Sequence, residues 1–246
     1  MMKDRHKLVI VAPANRWGKS FGVFADAALS ATNRHPYCKM PKNAQIYIGL
    51  LNNRLIERVV MPKLERLLKR GTYTTDWVEN VIRITKGEGS GNKIFFVSAE
   101  SDIKTWESFN ANKFYLDEEL PQEYVEAVFT RTLDNDGQII WAMTLEKGLS
   151  WSYHEYIEPW LKGKNRHWIS IIRGTTWDNP FHEAAKVTRA YERMYSRDPV
   201  QAEVRFKGAW LDLTGSPFFP IPGMQAMLNY AKLRTYKQAA LVEITS

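Results

Sequence analysis

The sequence predicts an α/β protein with a mostly parallel central sheet and helices on both faces of that sheet. Short apolar runs rich in β-branched residues alternate along the chain with stretches of helical periodicity. Several runs are apolar throughout, as in strands covered on both faces, and two of them end in polar or acidic residues. Open α/β sheets bind ligands at the carboxyl ends of their strands, so these polar residues are candidates for a site.

The first predicted strand leads directly into a loop and a helix. Residues 8–12 (LVIVA) form the buried strand, and helical spacing of apolar residues extends from the loop to Ala31. The connecting segment 13–20 (PANRWGKS) matches the phosphate-binding pattern G-x-x-x-x-G-K-[ST], except that Pro13 replaces its first glycine. On this motif alone, a chance strand–turn–helix remains the alternative interpretation.

The residue types of this loop suit phosphate binding. Backbone N–H groups and the positive end of a helix face an anion there, and Gly18 lets the backbone approach it closely. Lys19 supplies a charge to the β- and γ-phosphates, and the Ser20 hydroxyl can ligate Mg²⁺. The predicted nucleotide-binding residues of the loop are Asn15, Arg16, Trp17, Gly18, Lys19 and Ser20.

A second motif follows about a hundred residues later. The apolar strand 114–116 (FYL) ends in Asp117, Glu118 and Glu119. An aspartate at this position can hold Mg²⁺ directly or through water, and the next glutamate can polarise a water for in-line attack on a γ-phosphate. An acidic turn after a strand is common by itself, but the phosphate-binding pattern upstream favours the functional interpretation.

A third strand, 138–144 (QIIWAMT), closes on Thr144. A polar residue there would lie beside the acidic strand and near a γ-phosphate. The alternative is that Thr144 only caps the end of the strand.

The remaining elements are predicted from periodicity and turn residues. The glycine-rich segment 86–92 resembles a nucleotide-binding cluster but opens no helix, so we interpret it as a flexible hairpin loop. Strands are predicted over 45–50, 80–85, 93–98 and 166–173. Helices are predicted over 52–70 with a kink at Pro62, over 122–130, at the start of 148–160, over 181–195 and over 199–206.

Composition limits the class of protein. The 246 residues carry a net charge of +7, which suits a polyanion such as nucleic acid, although a merely basic soluble protein fits almost equally well. The helix 52–70 has a basic face that could contact a phosphate backbone or simply face solvent. The single cysteine excludes an internal disulfide, the histidines lack zinc-site spacing, and no apolar run approaches the length of a membrane span.

Taken in order, these motifs resemble the ATPase domain of the large terminase subunit of tailed double-stranded DNA phages, the motor that packages the genome. The ordered set covers roughly residues 7–220, nearly the whole chain. It comprises Arg16-Trp17-Gly18-Lys19-Ser20, the acidic motif 114–118, Met143-Thr144 followed by Gly148 and Trp151, Asp178-Asn179-Pro180, and Gly208-x-Trp210 followed by Gly215-x-x-Phe218.

The resemblance implies a phosphate-loop NTPase with a RecA-like sheet that hydrolyses ATP with Mg²⁺. It also implies roles by matching position. Lys19 and Ser20 would bind phosphate and metal, Arg16 would reach the γ-phosphate, Asp117 would hold Mg²⁺, Glu118 would position the water, and Thr144 would couple hydrolysis to movement.

The resemblance further implies an assembly. Its partners would be double-stranded DNA, a portal protein and the small terminase subunit, with copies of this chain forming a homo-oligomeric ring in the host cytoplasm, transiently docked on the procapsid and without a membrane. We expect an ATPase domain over 1–210 and, over 211–246, a linker or the start of a C-terminal nuclease domain. We therefore expect no nuclease activity from this chain. Family members also carry an adenine-contacting segment before the first strand, where this sequence has almost nothing.

Three rival interpretations remain. A superfamily-2 helicase fragment shares the phosphate loop and the Asp-Glu motif, but a helicase core needs a second RecA-like domain. A small-molecule kinase also has a phosphate loop, although Glu118 beside Asp117 favours attack by water. The third is a DNA-binding or assembly module without catalysis, which Pro13 keeps open.

Overall fold

The computed structural model describes residues 7–145 and 148–210. Contacts within the chain divide it into two units. The first comprises Met1–Pro13, Gly18–Thr144 and Trp151–Arg173, and the second comprises Ala14–Trp17, Leu145–Ser150 and Gly174–Ser246. The linker predicted over 211–246 and the family motif at 215–218 lie outside the described residues.

The first unit contains an eight-stranded mixed sheet in the order β3-β4-β5-β2-β6-β7-β1-β8. Six neighbouring strands, from β5 to β8 in that order, are parallel, while β3 and β4 pair antiparallel at one edge. This confirms the mostly parallel sheet that the sequence predicts. The strands are β1 (Leu8–Val11), β2 (Gln45–Leu50), β3 (Tyr73–Asp76), β4 (Val81–Ile84), β5 (Lys93–Ser98), β6 (Lys113–Asp117), β7 (Gln138–Ala142) and β8 (Ile169–Ile172).

Helices cover both faces of this sheet, as predicted. The neighbours Phe114 and Tyr115 on β6 point to opposite faces; Phe114 stacks on Trp106 of α3, whereas the Tyr115 hydroxyl lies against Ser30 of α1. The helices of this unit are α1 (Lys19–Ala31), α2 (Met61–Leu67), α3 (Ile103–Glu107), α4 (Gln122–Leu133) and α5 (Glu158–Leu161), with π-helical turns Ile56–Val60 and Tyr153–Ile157 before α2 and α5.

Strand β7 lies between β1 and β6, and all three are parallel. In this register Val11, Ala142 and Asp117 form one row across the sheet at the carboxyl ends of the strands. Beyond this row the chain continues into Ala12 after β1, into Met143 and Thr144 after β7, and into Glu118 after β6. The sheet therefore gathers at one edge the strand ends that carry the first-unit motifs.

The second unit is built around its aromatic side chains. Trp177, Tyr191 and Phe206 contact one another edge-on or tilted, and the Tyr191 hydroxyl donates to Glu203 at 2.6 Å. Asp198 caps α7 by accepting from the Gln201 N–H at 2.9 Å. The elements are a 3-10 turn (Thr176–Asp178), α6 (Ala184–Tyr195), α7 (Pro199–Ala202) and a π-helical turn (Glu203–Lys207).

Several local expectations need correction. The helix expected at the start of 148–160 begins instead at Trp151 and runs over 151–161. Strand β3 (YTTD) and helix α3 were not predicted. Strand β3 has a single apolar residue and exists through its pairing with β4. The helix expected over 52–70 is shorter, 54–67, with Pro62 near the start of its last α-helical part. None of the helices in the described residues is long and apolar enough to cross a bilayer.

Candidate active site

The first turn of α1 presents backbone N–H groups at the edge of the sheet. Gly18 precedes the helix with φ 108°, a conformation that favours glycine, and it has no side chain to accept from those N–H groups. They are therefore available to an anion, which the positive end of the helix also attracts. Lys19, the first residue of α1, keeps 8% of its surface exposed.

Ser20 and Asp117 meet at this edge although 97 residues separate them in the sequence. The Ser20 hydroxyl donates to Oδ1 of Asp117 at 3.0 Å, and Asp117, the last residue of β6, is 7% exposed. Burial raises the pKa of Asp117 above its usual value, against the Ser20 hydrogen bond and the charges of Lys63 and Lys19. Within the described residues, no cation lies within ion-pair distance of this carboxylate.

A hydroxyl beside a buried carboxylate without a cationic partner suits Mg²⁺. This metal prefers oxygen ligands, takes one or two carboxylates, and keeps several waters. The donors present therefore fit a magnesium ion that also binds a nucleotide.

Glu118 directly follows the strand in a left-handed conformation with φ 71°. Its backbone is held from β7, because its N–H donates to the Ala142 carbonyl at 2.7 Å and its carbonyl accepts from the Trp141 indole at 2.9 Å. Non-glycine residues in this conformation carry strain of about 1–3 kcal/mol and are concentrated at functional sites. The two hydrogen bonds hold the backbone of Glu118 in this turn.

Glu119 makes a different contact. Its carboxylate accepts from the hydroxyl of Ser152 at 2.5 Å, and Ser152 is fully buried. Ser152 also lies 3.6 Å from the Met143 sulfur, at the end of β7. Glu119 therefore links the acidic turn to the start of the helical segment 151–161.

Thr144 lies two residues beyond the end of β7 and is half-buried. Met143 before it extends the parallel pairing, since its N–H donates to the Val11 carbonyl at 3.0 Å. Because β7 separates β1 from β6, Thr144 follows the strand between the phosphate loop and the acidic turn. This is the position beside the acidic strand that the sequence predicts.

Lys63 joins these residues without having been predicted as a site residue. It is half-buried on α2, with its ammonium 5.1 Å from the centre of the Phe24 ring on α1. Burial lowers the pKa of Lys63; the negative charge of Asp117 opposes this effect and the positive charge of Lys19 adds to it. The sequence indicated only a basic helix face, and its periodicity contains no signal that singles out Lys63.

Residues 14–17 of the loop belong to the second unit by their contacts. The Asn15 carbonyl accepts from the Thr176 hydroxyl at 2.8 Å, and the Arg16 carbonyl accepts from the Asn179 amide at 2.6 Å. A side chain at Gly174 would come within 2.1 Å of the Trp17 indole nitrogen, so the close packing there requires glycine.

Arg16 has φ 61° and an exposed side chain. The Asp-Asn-Pro motif at 178–180 therefore has a structural task, because Asn179 holds the backbone of Arg16 in this unusual conformation. Asp178 completes a capping box with Thr175, which shapes the turn that carries Asn179. The sequence treated 15–20 as one set; the structure positions 15–17 by contacts within the second unit and Gly18, Lys19 and Ser20 within the first.

No protein-family model matches the chain, and no curated protein is significantly similar to it. Solved structures do match. The large terminase from a thermophilic bacteriophage, in complex with ADP, superposes with a TM-score of 0.66 at 18% identity, over 84% of this chain and 48% of the terminase.

Two further structures agree. The large terminase of the same thermophilic bacteriophage in complex with ATP-gamma-S gives a TM-score of 0.65 at 16% identity, over 84% of this chain and 48% of that one. The large terminase of bacteriophage HK97 gives 0.54 at 16% identity, over 82% and 46%. The chain thus has the fold of large terminases, as the ordered motifs predict, and spans about half the length of the terminases it matches.

Proposed function

We propose that this chain is the ATP-hydrolysing motor domain of a phage large terminase, which translocates double-stranded DNA into a procapsid. The observation that carries the proposal is the Ser20–Asp117 hydrogen bond at 3.0 Å, beside Lys19 at the start of α1. It joins the phosphate-binding motif and the acidic motif at one edge of a sheet that has the terminase fold. The thermophilic-phage terminase with this fold binds ADP and ATP-gamma-S.

In this proposal the first turn of α1 and Lys19 bind the phosphates of ATP. Ser20 and Asp117 hold Mg²⁺, which when bound neutralises charge that develops on the phosphate oxygens. Asp117 is prepared for this role because its carboxylate is buried without a cationic partner, so a metal ion relieves an existing electrostatic cost. Lys63 adds a second positive charge near the carboxylate.

Glu118 orients the attacking water and accepts its proton. The turn that follows β6 separates Glu118 from the metal ligand Asp117, so one residue can face the metal and the other the water. The Glu119 carboxylate accepts from buried Ser152, so in this proposal Glu119 has a structural role. Water as the acceptor distinguishes this site from that of a kinase, which must bind a second substrate.

The remaining roles in the proposal concern the assembly. Arg16 reaches the γ-phosphate, Asn15 and Trp17 line the nucleotide loop, and Thr144 transmits the state of the γ-phosphate from the end of β7. Copies of the chain form a ring around DNA, docked on a portal protein and supplied with DNA by the small terminase subunit. The exposed Arg16 side chain and the position of Thr144 after β7, which lies between β1 and β6, support these roles.

The test compares ATP hydrolysis by the wild type, Glu118→Gln and Glu119→Gln, with Mg²⁺ and with or without linear double-stranded DNA. Glu118→Gln should keep ATP affinity and lose turnover by about 100-fold or more, because only the general base is removed. Glu119→Gln is the matched control, since glutamine keeps an oxygen that can accept from Ser152. It should hydrolyse ATP nearly as the wild type does.

The outcomes separate the interpretations. Loss of turnover in Glu119→Gln but not in Glu118→Gln would reassign the base to Glu119. Hydrolysis stimulated by DNA favours the motor over a kinase. A wild type that binds ATP without any hydrolysis, even with DNA, would contradict the isolated chain as an ATPase, and absence of ATP binding would favour a module without catalysis.

A further inference from the structure

The glycine-rich loop between β4 and β5 is built into the first unit. Gly89 is buried, and a side chain there would come within 2.1 Å of the Ala31 carbonyl at the end of α1. Asn92 is also buried; its amide donates to the same carbonyl at 2.9 Å, and its oxygen accepts from the Ala44 N–H at 2.8 Å. The loop therefore has a defined position against α1. The proposed nucleotide site does not account for this packing, because none of its residues contributes to it.

The packed loop forms one wall of a cavity of about 400 Å³. The end of α1 and the end of α2 form the other walls, with Ala25, Ala28, Leu29 and Leu67 as apolar lining. One cation comes from each wall: Arg34 after α1, Lys69 after α2, and Lys86 at the start of the loop. Three separate elements thus bring positive charge to one depression.

The charge of this cavity is not cancelled locally. Within the described residues, Arg34, Lys69 and Lys86 form no ion pair. The only acidic residue in the lining is Glu88, and it pairs with Lys39 at 3.0 Å. The exposed Arg66 and Arg70 extend the positive surface along the end of α2.

We propose that this cationic cavity, formed by Arg34, Lys69 and Lys86, binds the phosphodiester backbone of double-stranded DNA. The proposal rests on the proposed function and names a surface for its polymeric substrate. The cavity is separate from the nucleotide site, since neither Lys19 nor Asp117 lines it.

The chemistry favours a polyanion over an enclosed small ligand. All three cations are exposed, so they surround the rim of the cavity and can reach phosphates that pass over it. The apolar lining suits the sugar that lies between successive phosphates. No acidic side chain of the lining competes at the rim, because Glu88 already has its own cation.

The experiment measures binding of a labelled double-stranded DNA fragment to the full chain over a range of salt concentrations. The test variant is Arg34→Ala/Lys69→Ala/Lys86→Ala. The control variant, Lys164→Ala/Arg189→Ala/Arg197→Ala, removes the same charge from exposed positions outside the cavity. Circular dichroism shows that each variant is folded, and basal ATP hydrolysis without DNA, measured in parallel, shows that its nucleotide site is intact.

We expect the test variant to decrease the slope of log affinity against log salt by about 3, one unit for each phosphate that the variant no longer neutralises. A fourfold rise in salt concentration should then weaken DNA binding by the wild type about 40-fold more than DNA binding by the test variant. Basal hydrolysis should be unchanged, stimulation by DNA should disappear, and the control should keep most of the salt slope.

Failure of this proposal and failure of the proposed function give different results. If the wild type hydrolyses ATP and binds DNA but the test variant binds equally well, the cavity proposal is wrong and the motor assignment stands. An equal decrease of the salt slope in the test and control variants also overturns the cavity proposal. So does a wild type that does not bind DNA. If DNA binding depends on the cavity but no ATP is hydrolysed, the surface is supported and the ATPase assignment fails.

Discussion

Asp117 on β6 and Asp26 on α1 are two poorly exposed carboxylates where this strand and this helix meet. They differ in the charged and hydrogen-bonding groups around them. Two of the contacts between α1 and β6 involve these carboxylates: Ser20 in the first turn of α1 meets Asp117 at the carboxyl end of the strand, and Asp26 further along the helix meets Lys113 at the amino end. The first contact pairs a carboxylate with a hydroxyl only. In the second contact, three donor side chains surround the carboxylate of Asp26.

Asp26 is saturated by the protein. Its carboxylate contacts the Lys113 ammonium at 2.5 Å, His35 at 2.9 Å and the Tyr115 hydroxyl. Burial raises the pKa of Asp26, but the charge and hydrogen bond of Lys113, the hydrogen bond of Tyr115 and the charge of His35 outweigh it, so the pKa lies below its usual value. Asp117 lacks such partners and its pKa is raised.

This difference separates a structural carboxylate from one prepared for a ligand. A charge buried with a matched partner stabilises a contact only while both partners remain. A charge buried without one costs stability that a bound cation can recover. The same strand therefore attaches α1 firmly at one end and presents an incomplete metal site at the other.

The largest effect on stability is expected from removing Lys113, the main cationic partner of Asp26. Lys113 is 2% exposed, and Lys113→Met keeps its volume but leaves Asp26 without its main cation. We expect the free energy of unfolding to fall by about 2–4 kcal/mol, because the carboxylate stays poorly solvated. Urea unfolding measures it, with Lys104→Met, an exposed lysine on α3, as a control that should change by less than about 0.5 kcal/mol. Equal changes in both variants would contradict the saturated cluster.

A smaller effect, opposite in sign at the two ends, is expected in the pH dependence of stability. The folded pKa of Asp117 lies above its unfolded value of 3.8, so ionisation of Asp117 destabilises the protein as pH rises through that window. Asp117→Asn should therefore gain stability relative to the wild type as pH rises from about 4 towards neutrality.

Asp26→Asn should behave in the opposite way. The lowered pKa of Asp26 contributes stability that is present above 3.8 and is lost as pH falls through the folded pKa. This variant should be less stable than the wild type near neutral pH, with a difference that shrinks in acid. Urea unfolding across this range tests both variants, and parallel curves for the two would show that the carboxylates do not differ.

The smallest effect is expected at Lys63, which partly compensates Asp117. Lys63→Met should weaken ATP binding by about threefold to tenfold, because one half-exposed charge near the phosphates is removed and solvent screens part of its effect. A titration with a fluorescent ATP analogue measures the change. Lys63→Arg is the matched control, since it keeps the charge beside Phe24. Identical affinity in all three proteins would remove Lys63 from the site.

Local patterns predicted most of the elements that build the sheet. The bounds of α1 and β2 were predicted to the residue, and the strand that carries Asp117 was recognised from three apolar residues and the acids after them. Strand β3 was not predicted, because its four residues carry no burial pattern and depend on their partner strand.

The sequence by itself determined the periodic elements, the phosphate-binding pattern and the acids at the end of a buried strand, because these depend on neighbouring residues. The tertiary structure alone decided which distant side chains meet. Asp26 and Lys113 are 87 residues apart, and Lys63 approaches Asp117 only because α2 packs against α1. Burial follows from local hydrophobic spacing, whereas the partner of a buried charge depends on strand order and helix packing, which no single segment encodes.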